Sequence, residues 1–126
     1  MNPVRELSKA LDGALPSDFK EMLRVTKFVL DTEHMGLKIE PSIEDGTWHL
    51  KMLSDSDFAG DKETRISVTG YILYFCGVPI AWKSKGQKNI TLSSSEAEYV
   101  ACSEAVKEVQ FVKQVVNAVD IKIQNL

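Results

Sequence analysis

From residue 17 to residue 36 the apolar positions Phe19, Met22, Leu23, Val29 and Leu30, with Thr26 among them, recur at spacings of three and four. That period predicts an amphipathic helix. Ser17, behind Pro16, is the expected N-cap, and Gly36 stands where a C′ glycine would end the helix. A shorter helix over 3–11 would place Val4, Leu7 and Leu11 on one side before "DGALP" breaks it. "EPSIEDGTW" (40–48) reads as a linker or turn through Pro41, Asp45 and Gly46.

After residue 47 the pattern changes. "WHLKMLSD" (48–55) reads as a strand, "DFAGDKETR" (57–65) as a loop, and "ISVTGYILYFC" (66–76) as a second strand rich in β-branched and aromatic residues. "GVP" turns the chain into a third strand, "IAWKS" (80–84), and such tight connections imply antiparallel pairing. "KGQKN" reads as a polar loop, and residues 93–118 return to a helical period. The first strand is apolar on both faces through Trp48, Leu50, Met52 and Leu53, which predicts a central place in its sheet. The order is helix, helix, three strands, helix. It is an α+β chain with a helical segment over 1–45 and a sheet-bearing domain over 46–126.

Composition changes this picture little. The 126 residues are 44% hydrophobic and 26% charged, enough for a packed core. A net charge of −3 gives no global basic footprint, so any nucleic-acid contact would be local. Lys83, Lys85 and Lys88, beside the loop that leads to the last helix, form the one such patch the reading singles out. Cys76 and Cys102 are far apart without metal-ligand spacing, and read as reduced core thiols. His34 and His49 read as structural or exposed. The N-terminus lacks an apolar signal-peptide core, and the longest apolar run, 71–82, is too short to span a bilayer. The expectation is a soluble intracellular protein with no membrane contact.

The chemistry, if any, lies in "SSSEAEYVACSEA" (93–105). Steps of three, four and seven from Glu98 land on Ala101, Cys102, Ala105, Val109, Val112 and Val116, an apolar stripe suited to face the sheet. The same steps from Glu96 reach Val100, Ser103, Lys107, Gln110 and Gln114, largely a solvent face. Ser93-x-x-Glu96 fits a capping box, and Ser95-x-x-Glu98 would make a second one. The other reading of Glu98 is a carboxylate facing a partner across the sheet. Asp55, closing the first strand, is that partner, with Asp57 two residues on as a further candidate and Asp61 in the loop. Two carboxylates from neighbouring rigid elements are hard-oxygen ligands suited to Mg²⁺ or Mn²⁺.

Four segments carry a resemblance: "SDSDFAGD" (54–61), "TRISVTGY" (64–71), "IAWKSKGQ" (80–87) and "LSSSEAEY" (92–99). In order and spacing they resemble the RNase H region of copia-type LTR retrotransposon polyproteins. The stretch from Val4 to Leu37 resembles the segment joining reverse transcriptase to RNase H in those polyproteins. The resemblance implies an RNase H-like fold, whose first three strands are antiparallel and are followed by a helix packed on the sheet. It implies two-metal hydrolysis of the RNA strand of an RNA–DNA hybrid. It assigns the catalytic and metal-ligand positions to Asp55 and Glu98. It implies the reverse transcriptase portion of the same polyprotein as a partner, and a virus-like particle in the cytoplasm or the nucleus as the place.

Ile66 and Val68 depart from the family's usual polar residues. The third aspartate of the fold, commonly within a "DN" pair on a later strand, has no clear counterpart. Asp120 follows Glu98 by 120 − 98 = 22 residues, and its position suits a helix-to-strand loop. The expectation is a nuclease domain without its later strands and helices, impaired by the missing carboxylate. The alternative is an inactive retroelement-derived remnant that serves as an interaction or dimerisation module. Its open sheet edge and uncovered face would be closed by a partner chain or a second copy.

Overall fold

The computed structural model describes residues 3–10, 13–43, 46–61 and 64–119. Asp120, Leu11 and Asp45 lie outside them. The chain divides into two compact units, Met1–Lys38 and Ile39–Leu126, a boundary somewhat earlier than residue 45.

The first unit contains α1 (Pro3–Lys9) and α2 (Pro16–Asp31). The proline ring presets the backbone angle of a first helical residue, so α2 starts at Pro16 and its N-cap is Leu15, not Ser17. The Asp18 carboxylate accepts the Leu15 N–H at 2.8 Å and satisfies one donor of that end. The helix stops well before Gly36. Thr32 is the C-cap, and its hydroxyl donates to the Phe28 carbonyl at 2.7 Å, competing with continuation of the helix. No residue of α2 is buried, and Phe19 and Leu23 of its apolar side are exposed.

The second unit is a three-stranded antiparallel sheet in the order β1 (Leu50–Asp57), β2 (Val68–Phe75), β3 (Val78–Gly86), followed by α3 (Ser94–Ala118). The β2–β3 turn is Cys76-Gly77, with φ of 48° and 82°. Positive φ at both central residues marks the two-residue turn whose twist suits a hairpin. Glycine meets that demand without strain, while Cys76 is held by burial and by donating its N–H to the His49 carbonyl at 2.8 Å.

The core lies where β1, β2 and α3 meet. Leu50, Leu73 and Val109 are buried together, with Met52, Phe75, Ala81 and Val112 packed against them. Trp48 stacks on Phe75 at 5.3 Å between ring centres. The buried line of α3 is Ala97, Ala101, Ala105 and Val109. Three alanines let the helix backbone approach the sheet closely. This corrects the helix-wheel reading, since the stripe begins at Ala97, not Glu98, and Cys102 is exposed and not a core thiol. Cys76 is buried as expected.

β1 forms an edge of this sheet, not its centre, and β2 is the central strand. Leu53, on the second face of β1, is exposed. Leu53 pairs with Ile72, and Ile72 with Trp82, so the three form one cross-strand row. Each is exposed, Trp82 at 65%.

Candidate functional site

One end of the sheet gathers most of the polar residues of interest. Ser56 pairs with Thr69, and Thr69 with Lys85. Gln87, read from the sequence as loop, is buried directly after β3. Its backbone N–H donates to the Ser67 carbonyl at 2.8 Å, and its Nε2 donates both to Thr69 Oγ1 at 3.1 Å and to the Ala97 carbonyl at 2.9 Å. One amide thus ties β3, β2 and the first turns of α3. Beside it Ser67 and Thr91 hydroxyls bond at 2.7 Å, and Ser67 also accepts the Ala59 N–H at 3.0 Å, fixing the loop after β1. These buried hydrogen bonds form only through tertiary contacts, so periodicity did not reveal them.

The N-terminus of α3 is capped by Ser93, whose Oγ accepts the Glu96 N–H at 3.1 Å. Glu96 folds back to accept the Leu92 N–H at 2.7 Å, one residue before the N-cap N–H a capping box engages, so the expected box forms only in its Ser93 half. A second box does not form, because Ser95 already lies within the helix. Glu98 is exposed and, among the described residues, its carboxylate has no hydrogen-bond or ion-pair partner.

Asp55 pairs across the ladder with Gly70 and is likewise exposed and without a partner among the described residues. Leu50 and Met52 pack under α3, so strand alternation turns Lys51, Leu53, Asp55 and Asp57 to the other face. Glu98 is next to Ala97, which Gln87 pins over Thr69, while Asp55 is next to Ser56, the partner of Thr69. Asp55 and Glu98 therefore stand at the same end of the sheet, on opposite sides of it. Asp57 leans on the following turn. A Cβ at Gly60 would come within 2.5 Å of its Oδ2. Asp61 shapes the loop by accepting the Thr64 N–H at 3.0 Å. His34 and His49 are exposed, and His49 Nε2 bonds the Thr47 hydroxyl at 2.6 Å. Among the described residues no three of His, Cys, Asp or Glu cluster closely enough to hold a metal ion.

The structure does bring the three lysines together. Lys83, Lys85 and Lys88 line one cavity between β3 and α3. Glu104, across that cavity, is held below the usual carboxylate range by a bond from Lys107, with Lys83 and Lys88 adding to the effect. Tyr71, also in its wall, donates its hydroxyl to Glu108 Oε2 at 3.0 Å. Burial first, then this bond and the Glu108 charge, push the Tyr71 hydroxyl up to about 12 from 10.0. A raised value in the folded state means stability that is complete below pH 10 and lost as pH rises through 12. Thermal melts should show a decline in this window, and Tyr71→Phe should remove that part of it.

Similar proteins share nearly all of this region. The chain is 37% identical over 105 residues to the secreted RxLR effector protein 161 of Plasmopara viticola, covering 83% of this chain and 72% of that protein. It is 30% identical over 120 residues to the retrovirus-related Pol polyprotein from transposon RE1 of Arabidopsis thaliana, covering 95% of this chain and 8% of the polyprotein. Identity reaches 48% over 65 residues with the polyprotein from transposon TNT 1-94 of Nicotiana tabacum, covering 52% of this chain and 5% of that one. The chain is similar to a region of retrovirus-related Pol polyproteins from copia-type transposons. It spans a small part of these polyproteins and most of the effector. No family model matches the chain, and no solved structure matches it. Among the described residues, no helix is long and apolar enough to cross a membrane.

Proposed function

We propose that this copia-type region is an RNase H-type nuclease domain, acting on the RNA strand of RNA–DNA hybrids as part of a longer polyprotein. One observation supports the reading: the two motif carboxylates, Asp55 and Glu98, are exposed and without partners among the described residues at one end of the sheet, Glu98 on the helix that Gln87 ties to β2 and Asp55 on β1, which pairs with β2. An accessible carboxylate without a protein partner can take a cation at little cost. Mg²⁺ commonly keeps several waters and takes one or two protein carboxylates plus substrate phosphates. Asp55 and Glu98 lie on opposite sides of this end of the sheet, so each would meet its own Mg²⁺ or Mn²⁺ ion, held mainly by water and substrate phosphates. When bound, such an ion activates water and stabilises the leaving oxygen. The chain's own residues fix the geometry: the Gln87 bridge and the capped start of α3 hold Glu98, the β1–β2 ladder holds Asp55, and Lys83, Lys85 and Lys88 contact phosphates.

The test is cleavage of an end-labelled RNA–DNA hybrid with Mg²⁺ or Mn²⁺. Slow cleavage is expected, reduced at least about a hundredfold in Asp55→Asn, on the order of one lost transition-state contact. Cleavage equal in both chains would reject the assignment of Asp55.

A second reading has its own support. The effector is matched over most of its length, and the sheet displays the exposed row Leu53, Ile72 and Trp82 beside the β1 edge. Such a surface suits an interaction module, closed by a partner chain such as the reverse transcriptase portion or by a second copy. No cleavage together with a concentration-dependent dimer in sedimentation would favour it.

A further inference from the structure

We infer that β1 docks a second copy of this chain, the two β1 strands pairing antiparallel about a two-fold axis at Leu53, so that Lys51 of each copy meets Asp55 of the other. The inference rests on the interaction-module reading and names its partner.

Among the described residues β1 pairs with β2 alone, so its outer edge is free. Parity decides which backbone groups it presents there. The Cys76 N–H donates to the His49 carbonyl at 2.8 Å, and such bonds recur at every second residue of an antiparallel ladder. The backbones of Lys51, Leu53 and Asp55 therefore bond to β2, while Leu50, Met52, Ser54 and Ser56 turn their N–H and C=O groups to the free edge. The β2–β3 hairpin agrees. Phe75 and Val78 flank its two-residue turn and bond each other, which gives β2 the same alternation. Ser54, on the helix face of β1, is exposed, so α3 does not cover the edge at the proposed axis.

Unpaired edge groups form a template for any strand, and charges on an edge select against most of them. Here the charges select the strand's own copy. Lys51, Leu53 and Asp55 are exposed on the open face, and among the described residues neither charge has a partner. Reversed about Leu53, the sequence is its own complement: Lys51 falls opposite Asp55, Leu53 opposite Leu53, and Asp55 opposite Lys51. The hydrogen-bonded pairs are then Met52 with Ser54 and Leu50 with Ser56, each a large side chain against a small one. The charged pairs occupy the non-hydrogen-bonded positions, where facing side chains come closest. The next registers that keep the hydrogen bonds set Leu53 against Lys51 or against Asp55, and lose this match. The pairing engages Asp55 through Lys51, so a divalent ion at Asp55 opposes the dimer.

The test is sedimentation equilibrium of the full chain over a concentration series, without divalent metal. A monomer–dimer equilibrium is expected. Lys51→Asp and Asp55→Lys should each raise the dimer dissociation constant at least about tenfold, because each sets like charges opposite one another on both sides of the axis. The double variant carrying both changes, and an equimolar mixture of the two single variants, should restore the dimer. Amide hydrogen exchange checks the same contact with no variant: as concentration rises, exchange within β1 should slow most at Met52 and Ser54, whose N–H groups face the edge. A dimer indifferent to the single reversals, or not restored by the double one, would overturn this pairing and leave the interaction-module reading standing. A chain that stays monomeric up to millimolar concentration, or a dimer that forms without slowing Met52 and Ser54, would overturn it as well.

Discussion

Leu73→Ala should destabilise the sheet unit by about 3–4 kcal/mol, the middle of the range for emptying a close-packed leucine site. Leu73 is fully buried on the central strand, and Leu50 of β1 and Val109 of α3 meet it there. The substitution therefore removes the common contact of three elements. Collapse around the hole is restricted, because β2 is bonded on both edges and cannot shift toward α3. For a domain of this size each kcal/mol moves the melting temperature by about 4–8 °C, so a fall of more than about 10 °C is expected. Thermal unfolding followed by circular dichroism measures it. A drop of only a degree or two would mean that the core lies elsewhere.

Gln87→Ala should cost about 2–3 kcal/mol, from two lost buried hydrogen bonds and the small void left behind. Its distinguishing effect is local. The bridge from Thr69 to the Ala97 carbonyl is what anchors the first turns of α3, while Val109 anchors its middle. Hydrogen exchange should therefore quicken at Ala97 to Ala101 more than at Val109 to Val112. Uniform quickening along the helix would show that Gln87 contributes only to global stability.

Much of the fold was legible in the sequence because its signals were local. The run "ISVTGYILYFC" is β-branched and aromatic enough to announce β2, and the Ser93-x-x-Glu96 spacing announced the start of α3, where Ser93 is the N-cap while Glu96 takes the Leu92 N–H in place of the Ser93 one. The face of α3 was harder. Val106, Phe111 and Val115 are exposed, so apolar residues occur around the helix and the wheel cannot choose a stripe by hydropathy. Packing chose instead by size, and the small residues Ala97, Ala101 and Ala105 lie against the sheet. Gln87 was missed for the opposite reason, since a glutamine between lysines looks solvated until its two acceptors arrive from distant parts of the chain. At the candidate site, Asp55 and Glu98 were singled out by motif and lie at one end of the sheet. Strand alternation then places Asp55 on the face away from α3, a detail of register that spacing could not supply.

The central claim is that each of these two carboxylates contacts a divalent ion at this end of the sheet. Paramagnetic broadening of backbone amide signals by substoichiometric Mn²⁺ tests it most directly. The claim predicts selective broadening around Asp55 and Gly70 and around Ala97 and Glu98, with the first region spared in Asp55→Asn. Broadening at only one of the two regions, or persisting at both in the variant, would contradict it.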